Sequence, residues 1–379
     1  MLVGLQNGVM PGGRVQLPPS KSEAIRAALL LGLSGGEPAL AAGGRTGLCR
    51  DICSAVDAAA RLDNCPDAGE SAALLRMLIC IQASLFGRVC VKAVPRLYER
   101  GLWEAEECLG GRLVYSEGIV SGRFDIAGKT EFEIDCSRTS QFLSGLLIAL
   151  PLTPRECAVK VKNGCVSRRY ADMTLEFVRL FGGSIDETET GFLTHPSHYT
   201  PREAVPVTGD MSYAAVFEAM NLLGGEVEID GADENTLQPD KDFTLLAQKR
   251  DCDISDCPDI APLLAVVACA REGRTVIRGT GRLKTKESDR ENGVIRLIND
   301  LGGSAEAGED CVIVNGTGRL RGGICDPQND HRLCFAAAAA ALICEQPVTV
   351  PGAECVDKSA PQFWNDMKML LKGGIQWIL

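Results

Sequence analysis

PPSKSEAIRAALLLGLSGG, residues 18–36, reads as a helix with a capped start. Ser20 and Glu23 have the spacing of a capping box, in which each side chain satisfies an amide at the other's end of the first turn. Ile25, Ala28, Leu29, Gly32 and Leu33 fall on one face, the stripe expected to be buried. Lys21 and Arg26 lie five positions apart, about 140° around the helix, which suits gripping two parts of one ligand. A plain capped helix and an anion site share this spacing, and the rest of the chain has to separate them.

The same pattern recurs along the chain: a polar cluster, an Ala/Leu-rich helix, a Gly-containing turn, then a strand. It returns as GESAALLRMLICIQASLFG (69–87), TSQFLSGLLIALPL (139–152), GDMSYAAVFEAMNLLGG (209–225), SDCPDIAPLLAVVACAREG (255–273) and DHRLCFAAAAAALICEQ (330–346). A second, amphipathic set ends in Gly-Gly: YADMTLEFVRLFGGSI (170–185), ENGVIRLINDLGGSA (291–305) and FWNDMKMLLKGGI (363–375). In the middle one, Val294, Ile298 and Leu301 trace the apolar stripe of a half-buried helix, and Gly-Gly is an ordinary stop signal. RVCVKAV, ECAVKVKN, EVEID, TVIRG, CVIVN and PVTV alternate as strands do.

Six such units predict an α/β chain of two domains, three units in each, with buried helices inside and sheets outside. The boundaries expected are 1–19 plus 209–379 for one domain and 20–208 for the other, with a two-strand hinge near 19 and 209 that lets the domains close. Six helix N-termini turned toward one cleft would offer free N–H groups and positive dipole ends, an environment that favours polyanions.

Composition narrows the class. The chain has 379 residues, 45% hydrophobic and 23% charged, which is globular rather than disordered. A net charge of −11 argues against nucleic-acid and acidic-membrane partners, though not against small anions, which respond to local cations. The longest apolar run, LCFAAAAAALIC (333–344), is too short to span a bilayer, and MLVGLQNGVMPGGR lacks a signal-peptide pattern. The expectation is a cytoplasmic protein, monomeric, with neither membrane nor nucleic-acid partner. Seventeen cysteines form no C-x-x-C, many sit in apolar stretches as small hydrophobes, and only three histidines accompany them. Reduced thiols and no metal are expected, and the G-T-G at 316–318 reads as a turn.

Lys21, Arg26, Arg100, Lys286, Arg290, Arg332 and Lys358 stand at the helix starts or in short connections. In KTKESDR (284–290), Lys286 and Arg290 are i, i+4 and are expected to share a helix face, with Glu287 i, i+3 from Arg290. In DHR (330–332), Asp330 is a candidate N-cap for the Ala-rich helix and Arg332 lies on its first turn. His331 beside them fits a structural role and a proton-transfer role equally.

Lys21-Ser22, Thr139-Ser140-Gln141, SRRYADMT (167–174), PDIAP (258–262), KTKESDR, DHR and AECVDKSAPQFW (353–364) occur in the order and spacing of one family. With them the whole chain resembles the 5-enolpyruvylshikimate-3-phosphate synthase family, whose fold is two domains of three βαβαββ units. The resemblance implies a reaction of shikimate-3-phosphate with phosphoenolpyruvate through a tetrahedral adduct that loses phosphate, without cofactor or metal. Each substrate carries a carboxylate and a phosphate, about −2.5 to −3 charges apiece. It implies that Lys21 touches both substrates and that Ser22, Arg26, Thr139 (where Ser is usual), Ser140, Gln141 and Ser167 contact shikimate-3-phosphate, Arg26 as a fork on the carboxylate. It assigns Arg100, Gln141, Arg290, Arg332 and Lys358 to phosphoenolpyruvate, with Lys286 near both ligands. Asp259 becomes the base beside the 5-hydroxyl and Glu287 the acid near the methylene carbon, with Lys21 able to assist proton transfer.

The chain departs from the family pattern in places. Ala72 and Ala73 stand where Gly and then Ser or Thr are expected, in the loop whose amides approach the phosphoenolpyruvate phosphate, so a Cβ at Ala72 intrudes there. Gly101 replaces the usual Pro after Arg100, and Arg282 stands where a small or amide residue is common. The nearest alternative is the related transferase acting on UDP-N-acetylglucosamine, which has Lys-Asn in place of Lys21-Ser22 and a reactive loop Cys. A non-catalytic anion-binding relic is the other.

Overall fold

The computed structural model describes residues 1–42 and 48–378. Two compact units divide the chain: Met1–Pro18 with Thr208–Leu379, called the outer-segment unit below, and Pro19–Val207, the middle-segment unit.

All six apolar stretches form helices, three per unit: Lys21–Ser34, Ala72–Phe86 and Gln141–Ala149, then Met211–Leu222, Ala261–Cys269 and His331–Ala340. The amphipathic set forms Arg168–Leu180, Arg290–Asp300 and Phe363–Leu370. In the sequence reading the first helix buries a stripe; in the structure it is buried all round from Glu23 to Leu31, while Gly32 and Leu33 are half-buried. The reason is position, since this helix packs against both Arg50–Ala59 and Arg168–Leu180. Close approach is what two glycines permit. A Cβ on Gly32 would lie 2.3 Å from the Ala59 carbonyl oxygen, and one on Gly145 would lie 2.8 Å from the Met77 Cα.

The sheets repeat one arrangement. In the middle-segment unit, Glu131–Cys136, Cys157–Cys165, Gly191–His195 and Ser184–Thr188 lie in that order, the first pair parallel and the rest antiparallel. The outer-segment unit repeats it with Asp251–Asp253, Gly273–Arg278, Cys311–Gly316 and Ala305–Gly308. It repeats it again with Gly323–Ile324, Val348–Pro351, Leu2–Leu5 and Ile375–Ile378. In this last sheet the N-terminal strand fills the third place, so the start of the chain completes its final unit. A parallel pair, Gly12–Gln16 with Glu226–Asp230, and an antiparallel sheet of Arg88–Lys92, Ile119–Arg123 and Val114–Ser116 complete the set. Among the described residues of 37–66 there is no strand; Pro38–Ala42 and Arg50–Ala59 are helical instead. EPALAAGG, at 37–44, lacks the β-branched alternation a strand needs.

Candidate active site

In the outer-segment unit the structure gathers six of the residues singled out in the sequence. Asp259 sits in the turn Pro258–Ile260, just before the Ala261–Cys269 helix. Its Oδ1 accepts from Lys286 Nζ at 3.2 Å and Arg290 Nη1 at 2.8 Å, and its Oδ2 from Arg332 Nη2 at 3.4 Å. Glu287 accepts from Arg290 Nη2 at 2.6 Å and from Lys358 Nζ at 3.4 Å.

Arg290 is the hub and is completely buried. Its Nε donates to Asp330 Oδ2 at 2.8 Å and its Nη2 to Asp330 Oδ1 at 3.2 Å. A guanidinium without water needs such pairing, because an isolated buried charge is too costly. Asp330 also caps the His331–Ala340 helix by accepting from the Arg332 amide at 2.9 Å, so one carboxylate orients two cations. The cap was legible in DHR; the grip on Arg290, forty residues away in sequence, was not.

KTKESDR is not one helix, contrary to the shared face expected for Lys286 and Arg290. A 3₁₀ turn covers Gly281–Thr285, Lys286 is extended, and the helix starts at Arg290 with Asp289 as its cap, accepting from the Asn292 amide. Asp289 competes for the helix start and breaks the periodicity. The two cations meet at Asp259 through this break.

Electrostatics follow from the crowding. Burial pushes the Asp259 carboxyl up, but Lys286, Arg332 and Arg290 outweigh it and hold the group well below the usual carboxylate range. Burial lowers Lys286 to about 8, against the pull of Asp259 and with the push of Arg282 and Arg290. Arg332 is raised, burial being outweighed by Asp259, Asp210 and Asp240.

The middle-segment unit holds the other candidates. Ser20 caps the Lys21–Ser34 helix, its hydroxyl accepting from the Glu23 amide at 3.4 Å. Lys21 Nζ lies 3.2 Å from Asp51 Oδ2, a nearly buried carboxylate that no motif announced. Half-buried Ser22 lends its carbonyl to Arg26 Nη1.

Arg26 differs from the fork expected of it. It is 3% exposed, and four of its five N–H groups donate within the protein: to Thr174 Oγ1, the Ser22 carbonyl, Ser144 Oγ and the Tyr170 carbonyl. Burial lowers it to about 10. The guanidinium is thus a tie between helices Lys21–Ser34, Gln141–Ala149 and Arg168–Leu180, and its planar pair is already committed.

Thr139 Oγ1 accepts from the Gln141 amide at 3.2 Å, and Ser140 Oγ donates to the Ser167 carbonyl at 3.1 Å. Gln141 Oε1 accepts from Arg76 Nη1 at 2.7 Å, a second partner absent from the sequence reading. Ser167 has φ +54°, a left-handed conformation uncommon for serine and frequent at functional sites. Ala72 opens the Ala72–Phe86 helix after Ser71. Arg100 is 9% exposed; its carbonyl accepts from Arg138 Nη2 at 3.1 Å, and Gly101 after it has φ +84°. Proline cannot adopt that angle, which accounts for glycine at this place.

No group of three or more His, Cys, Asp or Glu among the described residues is arranged to hold a metal ion. Residues 63–249 and 241–367 match the family model of EPSP synthase (3-phosphoshikimate 1-carboxyvinyltransferase). The chain belongs to the EPSP synthase family. The 3-phosphoshikimate 1-carboxyvinyltransferase of Clostridium perfringens (strain 13) is 30% identical over 413 residues, 96% of each chain. That of Clostridium kluyveri is 28% identical over 94% of this chain and 95% of its own. That of Clostridium acetobutylicum is 33% identical, the match spanning 65% of this chain and 63% of its own length. The solved EPSP synthase from Acinetobacter baumannii superposes with a TM-score of 0.74 over 100% of both chains at 16% identity. At that identity it speaks for the fold alone, which is the two-domain enolpyruvyl transferase fold.

Proposed function

We propose that the chain transfers the enolpyruvyl group of phosphoenolpyruvate to the 5-hydroxyl of shikimate-3-phosphate and releases phosphate. Family membership supports the reaction, and the network of Asp259, Glu287, Arg290, Lys286, Arg332 and Lys358 carries the reading. It joins two carboxylates suited to proton transfer to four cations suited to a phosphate and a carboxylate.

In the addition step, Asp259 takes the hydroxyl proton while the oxygen bonds to the enol carbon and Glu287 protonates the methylene carbon. In the elimination step, the Glu287 carboxylate left by the addition takes a proton back from the new methyl group as the C–O bond to phosphate breaks and phosphate departs. Asp259 is a weak base while three cations face it. When substrate anions draw those cations to themselves, its basicity rises toward that of an ordinary carboxylate. Lys286, with its pKa near 8, carries a proton at neutral pH and gives it up easily.

In the middle-segment unit, Lys21 would meet both substrates, and Ser22, Thr139, Ser140, Gln141 and Ser167 would take shikimate-3-phosphate. Arg26, with its fork committed, contributes mainly by holding Ser22 and its helix, and through its remaining Nη1 hydrogen. Arg100, Gln141 and the amides at Ala72 would serve phosphoenolpyruvate. All seventeen cysteines are free thiols, which suits the reducing cytoplasm, and no described helix is long and apolar enough to cross a membrane. A monomer acting on two small anions is the reading.

Phosphate release decides the matter. It should require phosphoenolpyruvate and shikimate-3-phosphate together and should not occur with UDP-N-acetylglucosamine. Release with neither acceptor would leave only the anion-binding relic.

A further inference from the structure

Asp240 stands outside every role assigned so far. It lies in the turn Pro239–Asp242, 1% exposed, and only one of its carboxyl oxygens is satisfied. The Ser212 hydroxyl donates to Oδ2, while Oδ1 is buried with no hydrogen-bond partner. Ser212 is also the residue whose carbonyl accepts from Arg332 Nη1 at 3.4 Å. Arg332 Nε is itself buried without a hydrogen-bond partner. One orphan acceptor and one orphan donor therefore belong to two opposite charges joined through a single serine. Buried polar atoms left unsatisfied are rare in native proteins and call for a reason.

We propose that Asp240 is a positioning residue for Arg332. Through Ser212, whose carbonyl takes Nη1, and by its own charge it holds the guanidinium, leaving Nη2 to turn from Asp259 onto the phosphoenolpyruvate anion. The proposal rests on the reading of Arg332 as part of the phosphoenolpyruvate clamp.

The charges around Asp240 define when it acts. Burial raises its carboxyl to about 6; Asp259 and Asp210 push the same way, and Arg332 and the Ser212 hydroxyl pull against them. Of its neighbours in the turn, Lys241 donates to the Glu234 carbonyl, and Asp242 is the other charged group. Asp240 is thus ionised at pH 7.5 and holds Arg332 most firmly there.

Asp240→Asn keeps an acceptor for Ser212 and cannot ionise. With phosphoenolpyruvate varied at saturating shikimate-3-phosphate, its KM for phosphoenolpyruvate should rise about five- to tenfold at pH 7.5, the scale of one ordinary hydrogen bond. At pH 5.5, where about three-quarters of the parent carboxyl is protonated, the difference should fall to about two- to threefold, and kcat should hold within about twofold at both. The substrate phosphate also titrates near 6, but it does so identically with both proteins, so their ratio reports Asp240. Ser212→Ala should raise the same KM at both pH values, with the KM for shikimate-3-phosphate unmoved. A purely structural role would move kcat and both KM values together, and that result overturns the proposal. So does an unchanged or lowered KM for phosphoenolpyruvate in Asp240→Asn, or in Ser212→Ala should Asp240→Asn fail to fold. A parent protein that turns over neither substrate pair overturns the reading of the reaction, and this inference with it.

Discussion

Replacing Asp330 by Asn tests the claim that one buried carboxylate organises the cationic half of the site. Asp330 is fully buried and accepts four hydrogen bonds: from Arg290 Nε, Arg290 Nη2, Ser288 Oγ and the Arg332 amide. Asparagine retains Oδ1 for the Arg332 amide and Arg290 Nη2. It sets an NH₂ group against Arg290 Nε, and only the Ser288 hydroxyl can turn to accommodate it. The lost attraction, one unit charge at 2.8 Å, is about 6 kcal/mol at an effective dielectric near 20. Part of it is offset because the carboxylate no longer has to be held without water. A net loss of about 3–5 kcal/mol is expected, the usual result of breaking one side of a buried pair. In the outer-segment unit, about 190 residues, each kcal/mol lowers Tm by about 2–4 °C, so calorimetry should show a drop of roughly 6–20 °C. The KM for phosphoenolpyruvate should rise about tenfold or more, because Arg290 and Arg332 both lose an anchor. A Tm within about 2 °C of the parent would refute the reasoning, since pairing would then return no more than burial costs.

Three further outcomes are expected. Asp259→Asn should lower kcat by about 10²- to 10⁴-fold with little change in substrate KM, the range of a lost general base; a loss confined to KM would assign Asp259 to binding only. Burial lowers Lys286 to about 8, so its charge is present below that pH and lost above it; kcat/KM should fall above pH 8, and a profile flat to about pH 9.5 would contradict the ammonium's role. Ala72 places a methyl group at the start of the Ala72–Phe86 helix, beside the amides proposed to hold phosphoenolpyruvate, so glyphosate, bulkier than phosphoenolpyruvate, should inhibit weakly. Ala72→Gly should lower its inhibitory concentration about tenfold at subsaturating phosphoenolpyruvate, and low-micromolar inhibition of the parent would remove the argument.

The six apolar helices, the Gly-Gly stops and the alternating strands were legible because each is a local pattern. Periodicity, caps and turn residues act within a few positions, and Ser20 and Asp330 cap as their spacing dictates. KTKESDR misled for the same reason in reverse. Its i, i+4 spacing describes a helix only if residues 286–289 are helical, and Asp289 starts the helix later. The candidate cations were legible as residue types at helix starts and as motifs, while their partners were not.

The residue types, the helix starts and the family motifs are properties of the chain read in order, and the sequence by itself determined them. Tertiary structure alone decided that Asp51 meets Lys21, that Arg76 meets Gln141, that Asp330 grips Arg290 and that Arg26 is spent tying three helices together. Those pairings join residues 30 to 148 positions apart. Their charges count only once water is excluded and the geometry is set, and neither condition is written in local spacing.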